Sequence, residues 1–508
     1  MPGPRHRRPI AVATEAAAAA LLLFPLVPAH AWTPVRENVP EPPREFRAAW
    51  VASVYNIDWP SRPGLSAGQQ QRELLGILER AEGLGLNAIL LQVRPGCDAL
   101  YASRLEPWSA FLTGRMGQPP SPSYDPLAFA VAEAHRRGIE LHAWFNPFRA
   151  LVNTQGGVAS NHVTRTHPEA VRSYNNQKWL DPGDPWVRQY SIGIIRDVVR
   201  RYDIDGVHID DYFYPYPVKQ GGRVVAGFPD DPTYRKHGGR QDRADWRRDN
   251  IDRFVSDLYR SIKAEKPWVK FGISPFGIWR PGNPRSIQAD LDAYADLYAD
   301  SRKWLNNGWA DYFSPQLYWR IQPAKQSFPV LVDWWSEQNR RQRHVWPGMA
   351  SSRIGSGGDA DGRPASEIIR QIEVTRRALP RGSSGHVHWS VKPVMQNRGG
   401  LSNLLAQGPY AGRALVPASP WLGRGAPKAP SVRITAEQPV RIRVDGGRGG
   451  DARWWAVQSI EQGESTWRLN RVAAGSQRDI SLSGNPVAIA VRGLGASGVS
   501  GPPLVLRR

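Results

Sequence analysis

Asp205-Gly206-Val207-His208-Ile209-Asp210-Asp211-Tyr212-Phe213-Tyr214 begins as a β-strand and ends as a chemically equipped edge. Side chains alternate across a strand, so Val207 and Ile209 share one face while His208, Asp210 and Tyr212 share the other. The apolar face suits packing under helices. That aims Asp210 into the interior of the fold and sends Asp211 the other way, unless the strand kinks at its end. The same grammar, a short apolar run closing on polar or aromatic residues, recurs at 47–54, 87–94, 139–146, 269–275, 311–318, 344–350 and 385–390. Helical stripes lie between these runs. Leu74, Ile77, Leu78 and Ala81 fall at i, i+3, i+4 and i+7, as do Leu127, Ala130, Val131 and Ala134, and Ile251, Phe254, Val255, Leu258 and Ile262 form a third stripe. Asp184 ahead of Pro185 marks a helix start and Gly138 a helix end. Eight strands alternating with helices predict a (β/α)8 TIM barrel over residues 45–410. The rival architecture, a doubly wound open sheet, calls for a glycine-rich phosphate turn after its first strand. This chain has Tyr55-Asn56-Ile57-Asp58-Trp59-Pro60 there, which is aromatic and acidic and suits a sugar better than a pyrophosphate.

Outside the barrel the pattern changes. Residues 411–430 are rich in Pro, Ala and Gly and predict a linker. Alternating runs over 431–508, such as Val440-Arg441-Ile442-Arg443-Val444, predict a small all-β sandwich of the immunoglobulin or fibronectin type. It carries no cluster of catalytic residue types and reads as a spacer or stabilising module ahead of a sugar binder. Residues 32–44 form a proline-rich lead-in. Before them, Arg5, Arg7 and Arg8 precede an apolar stretch from Ala11 to Pro28 and an Ala29-His30-Ala31 cleavage site. This predicts a signal peptide over 1–31 and export across the inner membrane, to the periplasm or beyond. No later apolar run is long enough to span a membrane, and no cysteine sits near the cleavage site to carry a lipid. Cys97 is the only cysteine, which excludes an intramolecular disulfide. With 41% apolar and 22% charged residues the chain is neither disordered nor a coiled coil. Its 66 basic and 46 acidic residues leave a formal charge of +20, mostly arginine and scattered along the chain. GC-rich coding bias explains the arginine flavour. An anionic polysaccharide gives the charge a use, whereas a nucleic-acid partner would call for a basic block that is absent.

In such a barrel, function sits at the carboxyl ends of the strands. Those ends supply Arg94, Trp144, Asn146, Arg149, His208, Tyr212, Tyr214, Trp279, Gln316, Tyr318, Trp319 and Trp389 as candidate substrate-binding residues. Aromatic faces stack on pyranose rings, and Arg, Asn and Gln bond hydroxyls and carboxylates. Asp210 is the leading acid. Glycoside hydrolysis generally uses two carboxyl groups; Asp211 is the nearest partner, and Asp58, Asp98, Glu106, Asp181, Asp230 and Asp231 lie in or near loops of the same rim. Other chemistries fare worse. There is no Gly-x-Ser-x-Gly elbow, no His-Glu-x-x-His and no Walker-type loop. His386 and His388 read as inward histidines bonding hydroxyls before they read as metal ligands, so no metal and no other cofactor is expected.

Taken together, Arg47-Ala48-Ala49-Trp50-Val51-Ala52, Asp58-Trp59-Pro60, Gln92-Val93-Arg94-Pro95, Tyr124-Asp125-Pro126-Leu127, His142-Ala143-Trp144-Phe145-Asn146-Pro147, Leu180-Asp181-Pro182-Gly183, the stretch 205–214 and Pro315-Gln316-Leu317-Tyr318-Trp319 resemble the glycosyl-hydrolase-like family 10 of bacterial envelope proteins. The resemblance runs in order over about residues 45–405. It implies a barrel and carbohydrate cleavage in the cell envelope. For divisome-localised members it implies cutting peptidoglycan strands that have lost their stem peptides. It further implies Asp210 and Asp211 as the paired aspartates of the fourth strand, and Arg94, Asn146, Gln316 and Tyr318 as rim residues. Some relatives are lipid-anchored, which this chain lacks the cysteine for. The fourth strand is also similar to the chitinase pattern Asp-Gly-x-Asp-x-Asp-x-Glu, but His208 and Tyr212 replace the second acid and the glutamate, so that mechanism does not transfer. Three readings follow: a secreted hydrolase of wall glycan, a hydrolase of an exported hexosamine polysaccharide, and a non-catalytic glycan-binding scaffold whose envelope partners are unknown.

Overall fold

The computed structural model describes residues 32–153, 156–221, 223–356, 360–380, 384–423, 425–446 and 452–508, together with Met1 and Gly3. Apart from those last two, the expected signal peptide lies outside the described residues. Eight parallel strands form the barrel: β1 (Phe46–Val51), β2 (Ala88–Arg94), β3 (Glu140–Phe145), β4 (Gly206–Ile209), β5 (Lys270–Ile273), β6 (Tyr312–Phe313), β7 (His344–Met349) and β8 (Gly385–His388). β7 is interrupted at Trp346-Pro347. Its first half, His344–Val345, pairs with β6, and its second, Gly348–Met349, pairs with β8. Pro347 has no N–H to offer, but its carbonyl accepts from Val387 at 3.0 Å while Trp346 N donates to Phe313 O at 2.7 Å. The two halves thus face opposite neighbours, and the ring closes through β8 onto β1.

Each strand is followed by a helix: α1 (Ala67–Leu84), α2 (Pro126–Arg136), α3 (Pro185–Arg201), α4 (Arg243–Glu265), α5 (Ser301–Asn307), α6 (Phe328–Gln338), α7 (Ala365–Ala378) and α8 (Leu401–Gln407). Capping chemistry sets several starts. Ser66 and Gln69 make a reciprocal capping box on α1, and Asp125, Asp184, Asp242 and Asp300 accept backbone N–H groups at the starts of α2 to α5. The apolar stripes of α1, α2 and α4 are buried against the outer face of the strands.

The barrel lumen is a separate cluster. Phe46, Ala48, Trp50, Ala52, Ala88, Leu90, Trp144, Tyr312, Trp346 and Val387 fill it. Bulky rings fit because the strand positions beside them are glycine: a Cβ on Gly272 would lie 1.9 Å from the Tyr312 ring, one on Gly206 2.5 Å from His142 Nδ1, one on Gly348 2.8 Å from the Trp50 ring and one on Gly385 2.7 Å from the Trp346 ring. Below the mouth the lumen is polar. Trp50 Nε1 donates to His208 Nε2 (3.1 Å), which leaves the His208 proton on Nδ1, facing the Tyr312 hydroxyl (3.0 Å). Tyr312 then donates to His142 Nδ1 (2.8 Å), and His142 Nε2 donates to Glu140 (3.1 Å). Lys270 closes the chain on Glu140 at 2.8 and 2.9 Å.

The carboxy-terminal strands make a two-sheet β-sandwich. One sheet is Ser431–Glu437, Val440–Asp445 and Asp479–Ser481; the other contains Trp454–Glu461, Arg468–Ala474, Pro486–Leu494 and Leu504–Arg507. The lead-in is not merely a connector. Thr33–Val35 pairs antiparallel with Leu504–Arg507 and becomes the edge strand of that second sheet. The sandwich docks at the amino-terminal end of the barrel strands. Arg453 holds Asp205 and Asp203, both at 2.6 Å, just before β4, and Arg471 pairs with Glu82 of α1. Gly138, before β3, sits so close to Val472 that a Cβ would lie 2.4 Å from its carbonyl oxygen. The mouth of the barrel is at the other end.

Candidate active site

Asp210 follows β4 and keeps its inward alternation. It is 4% exposed, receives Trp144 Nε1–H at 3.1 Å, and lies 3.4 Å from the Asn146 amide nitrogen. Both partners project from the end of β3, the neighbouring strand. Burial pushes its carboxyl up to about 7, with the Arg149 guanidinium opposing and Asp211 adding to the rise. Asp211 is 3% exposed. Its carboxylate accepts the Tyr216 hydroxyl and a hydrogen bond from Gln316 at the end of β6, so the chain turns after Asp210 and both acids serve the mouth. Burial also raises Asp211, against those two hydrogen bonds. Arg149 lies over the Tyr212 ring, 4.2 Å from its centroid, and its buried Nε makes no hydrogen bond.

Aromatic rings floor the site. Trp389 meets Trp50 and Trp144 edge-on at 6.0 and 6.1 Å and lies parallel to Tyr318 at 6.3 Å. The structure therefore gathers Asp210, Asp211, Trp144, Asn146, Arg149, Tyr212, Gln316, Tyr318 and Trp389 at one end of the barrel. Trp319 is beside them, half-buried against Phe276.

Four of the expected residues stand elsewhere. Arg94 does not reach the mouth: a bulge between Gln92 and Arg94 shifts the register, so Arg94 pairs with Phe145 and turns outward with it. It is 1% exposed, paired to Glu106 at 2.6 and 2.8 Å, and donates to Asn146 O at 2.5 Å. It thereby props the backbone of a residue that touches Asp210. His208 is one layer below, where burial holds its imidazole well under the usual range, and its nitrogens are taken by Trp50, Ser274 and Tyr312. Tyr214 packs on Phe228 and Tyr298 in the helix layer. Trp279 is spent on Asp300 and Trp334. His386 and His388 also differ from expectation. Val387 takes the lumen, so both histidines face out and share the Tyr410 hydroxyl at 2.5 and 2.9 Å.

Most of the alternative acids are occupied. Glu106 holds Arg94, Asp181 holds Arg172, and Asp230 holds Arg243 and Arg247, while Asp231 is exposed and paired with Arg243. Asp58 braces Ala52 N, Ser390 and Lys392 N, and burial raises it to about 6. Asp98, raised by burial to about 6, bonds Gly96 N and Ser109. Asp211 is left as the carboxylate beside Asp210. Two participants were not foreseen. Tyr216 lies in a loop, where no periodicity points to it. Trp50 lies mid-strand, and its alternation with Ala48 and Ala52 was the available signal. Among the described residues no group of three or more His, Cys, Asp and Glu is arranged to hold a metal ion, and no helix is long and apolar enough to cross a membrane.

A carboxyl group held protonated near neutrality, beside a second carboxyl and under an aromatic wall, is equipped to hand a proton to a glycosidic oxygen. The family model of glycosyl hydrolase-like 10 matches residues 45–363. The chain is 42% identical over 406 residues to the glycosyl hydrolase YngK of Bacillus subtilis (strain 168), covering 78% of this chain and 77% of that protein. It is 37% identical over 334 residues to the glycosyl hydrolase DigH of Escherichia coli (strain K12), covering 61% and 74%. Among solved structures, the glycoside hydrolase domain of PgaB (BpsB) from Bordetella bronchiseptica aligns with a TM-score of 0.47 and 15% identity over 71% of this chain and 98% of that one. The chain belongs to the glycosyl hydrolase-like 10 family and is a glycoside hydrolase.

Proposed function

We propose that the protein is an exported glycoside hydrolase that cleaves bacterial wall glycan, specifically peptidoglycan strands stripped of their stem peptides. The carrying observation is Asp210: buried, raised to about 7, and held by Trp144 and Asn146 with Asp211 alongside. In this reading Asp210 gives its proton to the leaving oxygen as the glycosidic bond breaks. Asp211, steadied by Tyr216 and Gln316, is the carboxylate that answers positive charge developing at the anomeric carbon or activates water. Trp389 and Tyr318 offer faces to sugar rings, and Arg149 meets an anionic substituent. Denuded wall glycan carries a lactyl carboxylate on alternate sugars, which gives Arg149 a counter-charge. A partly deacetylated hexosamine polymer is cationic and would meet Arg149 and the chain's +20 charge as repulsion. Export rests on the basic and apolar amino-terminal stretch followed by Ala29-His30-Ala31.

The test is product release from denuded glycan by the wild type and Asp210→Asn, with a deacetylated hexosamine polymer in parallel. Loss of at least about a hundredfold in rate is expected for Asp210→Asn, the usual range for removing a general acid. Equal cleavage by the variant ends the assignment of Asp210. Preference for the cationic polymer ends the assignment of substrate, and binding of intact wall without product over long incubation supports the scaffold reading instead.

A further inference from the structure

Tyr55 stands out on the rim. It is 56% exposed, among the few large apolar side chains of the described residues left open to solvent. Its backbone is left-handed (φ 53°, ψ 19°), as is that of Asn56 (φ 52°). A non-glycine residue is strained there, and two in succession persist only where the surroundings hold them. Those holds are visible. Ser53 N and Val54 N donate to Gln92 Oε1 at 3.0 and 2.9 Å. Asn56 Nδ2 donates to Pro60 O at 2.9 Å and Phe111 O at 2.8 Å. The Tyr55 hydroxyl reaches Val152 O at 3.4 Å, and its ring meets Phe111 edge-on at 5.9 Å. The loop after β1 is thus clamped to the loops after β2 and β3, with the ring kept in the open.

The ring stands between two features. On one side is the Asp210 site: the Tyr55 hydroxyl reaches Val152, three residues after Arg149, whose guanidinium lies over the Tyr212 ring. On the other is a cavity of about 630 Å³ whose lining includes Asp98, Phe111, Arg115, Ala150, Leu151 and Val152. Ala150 and Leu151 directly follow Arg149, so cavity and site share a wall. The volume lies within the usual range of small-molecule pockets, and a lining that mixes an aromatic ring, apolar side chains, a carboxyl and a guanidinium suits the faces and hydroxyls of a sugar.

Resting on the wall-glycan reading, we infer that Tyr55 is a sugar-stacking platform that carries the glycan from the Asp210 site into this cavity, so that the enzyme grips units beyond the scissile bond and favours long strands. Tyr55→Gly separates this role from folding, because glycine takes the left-handed backbone without strain. Steady-state cleavage is measured for wild type, Tyr55→Gly and Tyr55→Phe on long denuded strands and on the shortest cleavable fragment, with thermal midpoints alongside. For Tyr55→Gly, KM on long strands rises roughly tenfold, the worth of one aromatic contact. Its kcat and its activity on the short fragment stay at the wild-type level, and Tyr55→Phe restores the long-strand KM. An unchanged long-strand KM, or an equal loss on the short fragment, overturns the inference. If the wild type cleaves none of these strands, the wall-glycan reading has failed separately; retention of the same strands in affinity electrophoresis then decides Tyr55, with retention by Tyr55→Gly equal to wild type counting against it.

Discussion

Asp210 concentrates the tension between stability and chemistry at a single residue. Its carboxyl is raised from 3.8 to about 7 by burial, which means the folded state binds that proton more tightly than the unfolded chain does. The sign follows directly. Below the unfolded value both states are protonated and the fold bears no cost; as pH rises from there to about 7 only the unfolded chain ionises and stability falls, and above 7 both states are ionised and the cost is constant. Asp210→Asn removes the charge. It is therefore expected to be more stable than wild type at pH 8, by up to about 4 kcal/mol at 1.36 kcal/mol per unit of pKa, and to lose that advantage near pH 4. Paired thermal melts at the two pH values check this, and an equal difference at both would mean the group is not raised. The wild-type rate should also decline as pH passes 7, because the proton to be donated is then lost. Arg94 teaches a complementary lesson. Residue type and strand-end position suggested a sugar contact, yet one inserted residue in β2 turned the guanidinium away from the lumen. Its work is to hold Glu106 and the Asn146 carbonyl, one step removed from Asp210.

Among the elements, β4 and β5 show how a sheet makes room for a filled lumen. Gly206 and Gly272 pair with their neighbours like any strand residue, yet each faces a ring that occupies the place of its missing side chain. Tyr312 can therefore lie across the barrel axis and join His208 to His142. Gly272→Ala drives a methyl into that ring against the backbone of two paired strands. A loss of about 3 kcal/mol or more is expected, at the upper end for overpacking, measured by denaturant unfolding. A loss below about 0.5 kcal/mol would mean that Tyr312 moves aside freely. The interrupted β7 is the other element-level device. It was readable as one apolar stretch across 344–350, and the sequence placed Pro347 within it. What could not be read was that each half would serve a different neighbour, because pairing partners are set by where β6 and β8 arrive in space.

For the whole molecule, the sandwich meets the barrel at the end opposite the mouth, away from Asp210 and Asp211. Burial alone would disfavour the Asp205 charge, but Arg453 and His135 together hold it well below the usual carboxylate range. A depressed group stabilises above its unfolded pKa and loses that contribution as pH falls. Arg453→Ala is thus expected to cost on the order of 2–3 kcal/mol at pH 7 and less near pH 3, while kcat on glycan at 25 °C stays within about twofold because the acids are remote. Denaturation at both pH values and a single activity measurement test it; a large fall in kcat with little change in stability would show the two ends to be coupled. Periodicity sufficed for the eight-fold alternation, the inward face that Asp210 continues and the all-β carboxy-terminal strands, because strand and helix repeats are local properties written in consecutive side chains. The partner of Asp210, the outward turn of Arg94, His386 and His388, the pairing of residues 33–35 with the last strand, and the open ring of Tyr55 depended on the folded chain. Each is set by a register shift, a loop contact or a burial that joins residues far apart in sequence, and desolvation exists only once that enclosure has formed.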